Sequence, residues 1–205
     1  MSYSPEHKLR TRKRILDSAL RLFRVHGYGG VGIDAVMADA GLTRGGFYAH
    51  FASKEDLFLE TTREAPERLG VRISRDTDGR LLVPEGFAKW FFDFYFSREH
   101  RDGVATGCGM PPLAAEVSRA DDEVRSAFTS NLGELIDALT REAPGEDRCR
   151  TLAALALGVG SVVLARAVND EEFGYAILSA CETVAREQMQ YDEVAPATAR
   201  FRESV

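Results

Sequence analysis

Apolar residues recur along this chain with helical rather than strand periodicity. Between about Lys8 and His26, Ile15, Leu16, Ala19, Leu20, Leu22 and Phe23 fall three and four residues apart, and Gly27 stands where a helix commonly ends. A short helix is expected from Asp34, its cap, to Ala40. Gly41 breaks it, and Thr43 can cap a second short helix through Phe51. Ser53 opens the next helix, with Asp56 three residues on as in a capping box, and the pattern carries it toward Arg75. "RDTDGR" reads as a turn, and Pro84 suits the first position of a helix running through Arg98. "RDGVATGCGMPP" is a second break, followed by a short helix over Leu113–Ser118. Asp121 or Asp122 caps a helix to about Glu142, "APGED" interrupts, and two long helices follow, about Glu146–Val168 and Asp170–Gln190. No strand pair, internal repeat or low-complexity tract is expected, and "APATARFRESV" reads as a loose tail. The pattern predicts an all-α fold.

The stretch "TRGGFYAHFASKEDL" (43–57) gives that pattern a purpose. Helix, glycine turn, helix over residues 34–51 is the spacing of a helix-turn-helix, whose second helix enters the DNA major groove. At about 100° per residue, Phe47 and Phe51 share one side, while Arg44, Gly45, Tyr48 and Ala49 form an arc on another. The phenylalanines anchor the helix. On the outward arc, Arg44 can reach a guanine edge or a phosphate, Tyr48 offers a hydroxyl, and Gly45 lets backbone approach backbone. Thr43, and the helix start around Lys54, add amides, a hydroxyl and a charge suited to phosphate oxygens. The competing reading is a helical hairpin with surface charges.

Charge supports the first reading only because it is unevenly spread. The 205 residues carry a net charge of −6, yet residues 1–57 hold nine Lys and Arg against six Asp and Glu, a net of +3. Residues 58–205 hold 17 against 26, a net of −9. An acidic protein with a basic head can bind nucleic acid, because phosphate contact is local.

"RILDSALRLFRVHGYGG" followed by "AGLTRGGFYAHFASKEDLF" resembles the DNA-binding domain of TetR-family transcriptional regulators, over roughly residues 10–60. The resemblance implies a three-helix DNA-binding domain (residues 1–57) and a larger helical domain (58–205) for effector binding and dimerisation. It also implies DNA contacts at Thr43, Arg44, Gly45, Tyr48, His50 and Lys54, with His50 nearer a flanking phosphate than a base. Two positions depart from the family. Gly32 replaces a usual Thr or Ser cap, and Met37 replaces a small Ala at the crossing of the two helices.

The C-terminal part is read from its residues. Phe87, Trp90, Phe91, Phe94 and Tyr95 follow i, i+3, i+4, i+7, i+8 on one helix, a stripe that serves either as core or as an effector pocket. With Cys108 and Met110 of the adjoining break they are the candidate effector-binding residues. Cys108, between two glycines ahead of a helix, is expected to be accessible and acidified if it senses electrophiles or oxidants, and inert if buried. Cys149 and Cys181 read as packing residues. Gly158, Gly160, Ser161 and Ala165 allow close approach on a helix apolar nearly all round, and are the candidate dimer interface.

No enzyme constellation competes. The histidines at 7, 26, 50 and 100 have no metal-ligand spacing, "GVGSVV" matches neither a nucleophile elbow nor a dinucleotide fingerprint, and no phosphate-binding loop occurs. No cofactor is expected. The longest uncharged run, 151–165, is short for a membrane span, and scattered cysteines fit a reduced cytoplasm. The expected partners are operator DNA, a small apolar or aromatic effector, and a second copy of the chain. The expected function is a ligand-released repressor. An electrophile sensor acting through Cys108 is the alternative, and a helical adaptor that does not bind duplex DNA is a more remote one.

Overall fold

The computed structural model describes residues 4–63, 74–77, 81–143, 145 and 147–189. The first helix, α1 (Pro5–His26), starts at Ser4, whose Oγ accepts from the His7 amide at 3.3 Å, with Pro5 in the first turn. It ends at Gly27 (φ +73°), whose amide returns to the Phe23 carbonyl at 2.9 Å. α2 (Ile33–Asp39) begins at Gly32 without a side-chain cap, so Asp34 lies inside the first turn and is not the cap. Its end is a Schellman closure. Leu42 N–H donates to the Met37 carbonyl at 2.8 Å and Gly41 N–H to Ala38 at 3.0 Å, with Gly41 at φ +66°.

A six-residue 3-10 helix, Arg44–Ala49, stands where an α-helix through Phe51 was expected, and Thr43 makes no side-chain cap. Two adjacent glycines and a span of under two turns leave little to favour the α form. α3 (Lys54–Arg63) opens as the sequence suggests: the Asp56 amide donates to Ser53 Oγ at 3.1 Å, and Asp56 Oδ2 accepts from the Ala52 amide at 2.9 Å. The expected continuation toward Arg75 falls partly outside the described residues. Its end is not helical: β1 (Ser74–Arg75) pairs antiparallel with β2 (Leu81–Leu82), Ser74 opposite Leu82. This small ladder corrects the expectation of no strand pair. Leu81 is buried and its carbonyl accepts from Arg141 at 2.6 Å, which holds β2 on the later helices.

α4 (Phe87–Tyr95) starts three residues later than Pro84, because Gly86 adopts φ +79° and closes a turn from Pro84 to Phe87. The helix also ends early. Ser97 Oγ accepts from the His100 amide at 3.1 Å and starts a separate helix, α5 (Arg98–Asp102). α6 (Met110–Val117) has Pro111 in its first turn, and α7 (Asp122–Glu142) is capped by Asp121, whose carboxylate accepts from Val124 N–H at 3.0 Å. α8 (Arg148–Ala167) and α9 (Glu171–Met189) pack against each other along their lengths, as the short connection predicts. α8 is the one described helix long and apolar enough to cross a bilayer, and α4, α6, α7 and α9 all pack against it. Gln190 and the proposed tail lie outside the described residues.

The buried residues form two clusters. One joins α4, α7, α8 and α9 around Phe91, Tyr95, Leu139, Ala154 and Val162. The other joins the first three helices around Phe23, Val36, Phe47, Phe51 and Phe58, and is completed by Leu113, Val117 and Val124 from α6 and α7. Within the first cluster α8 turns its small residues inward. A side chain on Gly158 would begin 2.9 Å from Tyr95 Cδ1, and Ser161 and Ala165 are buried in the same chain. This corrects their placement on an outward seam: Gly158, Ser161 and Ala165 make room for the chain's own α4 and α5. Gly160 alone faces open space. Gly158→Ala is therefore expected to overpack against Tyr95 and lower unfolding stability by about 1–3 kcal/mol, read from chemical denaturation.

Candidate nucleic-acid interface and effector cavity

The Gly41 turn presents the 3-10 helix with its polar side outward. Phe47 is buried, and Thr43, Arg44, Gly45, Tyr48 and Ala49 are exposed, so the outward arc is the expected one despite the tighter helix. Tyr48 is 60% exposed, its ring edge-on to Phe47 at 5.3 Å. No atom lies within 4 Å of where a Gly45 side chain would start. The neighbouring Gly46 faces the Met37 methyl at 3.7 Å. Met37 is fully buried at the crossing that the resemblance reserves for a smaller residue.

Arg44 is not free. Its Nη1 donates to Asp34 Oδ2 at 2.6 Å, with both side chains about two-thirds exposed. A pair this exposed is worth roughly 0–1 kcal/mol, so a phosphate or guanine can displace the carboxylate at small cost. Lys54 places its ammonium 4.0 Å over the Tyr28 ring, and Tyr28 donates its hydroxyl to Glu55 at 2.8 Å.

His50 sits in a groove bordered by His7, Lys8 and Thr11 of α1 and by Thr43 and Ala49. Its Nδ1 is buried without a partner, and burial first, then Lys8, Arg12 and His7, hold its pKa down. The α1 contribution to this groove was invisible in the 34–51 pattern. Only the cluster of early basic residues hinted at it. Two of those residues are occupied in other ways: Arg12 pairs with Glu60 at 3.3 Å, and Arg14 donates to the Ala40 carbonyl at the end of α2 at 2.5 Å.

A second feature lies where α1, α3, α6 and α7 meet. An almost wholly apolar cavity is walled by Leu20, Phe87, Met110, Leu113, Phe128 and Leu132, with Thr61, Thr62 and Asn131 among its polar members. Its empty volume, mouth included, is about 680 Å³, but only about 50 Å³ can hold the centre of a water molecule, so it is a narrow slot. Of the aromatic stripe, only Phe87 lines it. Trp90, Phe91, Phe94 and Tyr95 belong to the C-terminal core, with Trp90 stacked on Phe94 at 5.6 Å. Cys108 and Met110 do line it.

Cys108 is 5% exposed, which is the buried alternative and not the accessible, acidified thiol of an electrophile sensor. Burial pushes its pKa up and outweighs the Met110 amide, Tyr95, Arg24 and Arg166, all of which favour the thiolate. Those basic residues come from α1 and α8, so no local motif announced them. Cys149 is exposed at the start of α8 and Cys181 is half-buried, so Cys149 is not the packing residue its apolar surroundings suggested.

His100 holds the Cys108 backbone in place. The Cys108 amide donates to His100 Nε2 at 3.1 Å, so Nε2 carries no proton and Nδ1–H donates to the Tyr95 carbonyl at 2.9 Å. Burial, the largest cause, depresses the His100 pKa to about 4. A histidine depressed in the folded state contributes stability that is complete above its ordinary pKa of 6.5 and is lost as pH falls through the folded value. Unfolding stability is thus expected to drop by about 3 kcal/mol between those limits, and His100→Asn should flatten that part of the pH profile measured by denaturant titration.

The family profile of "Bacterial regulatory proteins, tetR family" matches residues 15–61. The chain is 35% identical over 144 residues to the HTH-type transcriptional repressor AcnR of Corynebacterium efficiens, covering 68% of each chain. It is 28% identical over 180 residues to the HTH-type transcriptional repressor Rv1474c of Mycobacterium tuberculosis, covering 78% of this chain and 96% of that one. Among solved structures, a TetR transcriptional regulator from Chloroflexus aurantiacus superposes with a TM-score of 0.64 at 25% identity, covering 89% of this chain and 98% of that one.

Proposed function

The chain belongs to the tetR family of bacterial transcriptional regulators, and from that premise we propose that it binds a palindromic operator as a homodimer and is released by an apolar effector entering the α1–α6–α7 cavity. The observation that carries this reading is the outward arc of Thr43, Arg44, Gly45 and Tyr48 behind the Gly41 turn. Arg44 serves a guanine edge or phosphate, Tyr48 a phosphate, and Gly45 close backbone approach. His50, with Lys8 beside it, and Lys54 serve flanking phosphates. Repression is supported by the relatives named as repressors. A cytoplasmic location goes with this reading, since the operator DNA of a bacterium lies there.

An effector shifts DNA affinity only by binding one arrangement of the helices better than the other. The cavity is suited to this because its wall includes Leu20 of the DNA-reading unit as well as α6 and α7. α6 is also tied to the end of α1: Glu116 accepts from the Tyr28 amide at 2.7 Å and the Gly29 amide at 3.3 Å.

The dimer reading now rests on a different face from the one expected. Gly160 has open space around it, and Leu152, Val163, Leu164, Phe173 and Val184 of α8 and α9 are large apolar residues at least 43% exposed. A second copy would cover them. Leu164→Glu is expected to convert a micromolar dimer into a monomer in sedimentation, and Gly160→Leu to weaken dimerisation. A wild-type monomer at that concentration would remove the two-half-site model.

On operator DNA, Arg44→Ala is expected to cost about 1–3 kcal/mol and relax preference at one base pair per half-site. Lys54→Ala should weaken all duplexes alike and flatten the salt dependence. Mobility-shift titrations on operator and scrambled DNA measure both, and unchanged affinity and selectivity in Arg44→Ala would refute the assignment of the reading face.

A further inference from the structure

Behind the Cys108–Gly109 wall of the cavity, α1, α4 and α8 contribute buried polar side chains that are only partly satisfied. Arg24 on α1 is 6% exposed. Its Nη1 donates to the Ala105 carbonyl at 3.2 Å, but Nε and Nη2 are buried without an acceptor. Arg166 on α8 donates through Nη2 to the His100 carbonyl at 2.5 Å and through Nε to Arg101 at 2.8 Å, leaving Nη1 buried and unused. The hydroxyl of fully buried Tyr95 on α4 lies by the Cys108 sulfur without closing a hydrogen bond of normal geometry. Both guanidiniums favour the thiolate form of Cys108, and Arg166 binds the carbonyl of His100, whose ring holds the Cys108 amide.

The charges in this chamber do not balance. Among the described residues no carboxylate pairs with Arg24 or Arg166. Asp102 is felt by Arg166, but its oxygens are taken by Arg101 at 2.7 Å and the Tyr175 hydroxyl at 3.0 Å. Burial keeps the Cys108 thiol neutral, so it does not compensate. Buried cations without a counter-ion, and buried donors without acceptors, are costly and call for a missing partner. An anion would supply both the acceptors and the charge.

Gly109 indicates how such an anion arrives. It lines the cavity, and a side chain there would begin 3.8 Å from Arg24 Nε, with only Leu113 equally close. Gly109 is thus the lining residue beside the guanidinium, and a side chain there would stand between Arg24 Nε and Leu113. We propose that this chamber receives the carboxylate of an apolar monocarboxylic acid, whose hydrocarbon body lies in the narrow cavity between α1, α6 and α7. The proposal rests on reading that cavity as the effector site. The acid would join Arg24 of the DNA-reading unit to Arg166 of the C-terminal bundle through charge-assisted hydrogen bonds.

Trp90, the single tryptophan, stacks on the cavity residue Phe87 at 5.8 Å and reports occupancy by its fluorescence. The full chain is titrated at neutral pH with octanoate, octan-1-ol and octylamine. Octanoate is expected to bind about tenfold or more tightly than octan-1-ol, with octylamine weakest. Arg24→Gln should erase the preference for octanoate and leave octan-1-ol binding unchanged. Gly109 has φ −75° and only ordinary contacts around a new methyl, so Gly109→Ala keeps the fold and should reduce the octanoate preference severalfold. Circular dichroism checks that each variant is folded, and Arg166→Gln stands in if Arg24→Gln is not. Octan-1-ol binding as tightly as octanoate overturns the anion chamber and leaves the cavity as a site for neutral ligands. A preference that survives both Arg24→Gln and Gly109→Ala overturns it as well. Binding of none of the three probes overturns it too, while the operator titrations still decide the regulator reading.

Discussion

The DNA-reading unit cannot close its own hydrophobic core, and the arrangement of the molecule follows from this. Three helices and a 3-10 turn bury Phe23, Val36, Phe47, Phe51 and Phe58, but the cluster is finished by Leu113, Val117 and Val124 of α6 and α7. Domains this small are marginal alone because too little of their surface is internal. The polar seam follows the apolar one: Glu116 of α6 takes the amides of Tyr28 and Gly29 just beyond α1. α3 runs unbroken across position 57, so the two parts share a helix as well as a core.

A shared core makes one part's packing the other's concern. Interiors are close-packed and deform between discrete arrangements rather than continuously. On the proposed reading, a molecule wedged among Leu20, Leu113 and Phe128 would act on the pose of α1 and, through the Arg14 contact at Ala40, on the end of α2. Coupling of about 1–3 kcal/mol between two such sites is ordinary, and is of the same order as a single operator contact.

Electrostatics divides the molecule in the same way. At the proposed DNA face, the charges are exposed and held by weak, replaceable partners, as with Arg44 on Asp34 and Lys54 over Tyr28. Around Cys108 the charges are buried and held by backbone carbonyls that cannot neutralise them. The first arrangement suits a partner that supplies many phosphates in water. The second suits a partner that supplies one charge away from it.

Periodicity, glycines and caps were enough to place most of the helices and the outward arc, because those features depend on neighbours within a few residues. Gly41, Ser53 with Asp56, and Asp121 each act on backbone groups close in the chain. The all-α fold and the exposure of Arg44, Gly45 and Tyr48 were legible on that basis. What the tertiary structure decided was everything that depends on which distant side chain arrives. Gly158 looked like Gly160 in sequence, yet Tyr95 stands against one and open space against the other. Cys108 between its glycines could be accessible or buried, and the fold buries it. Arg24 and Arg166 gave no local sign of sharing a site, because hydrophobic periodicity says which face of a helix is buried but not which charges are buried with it.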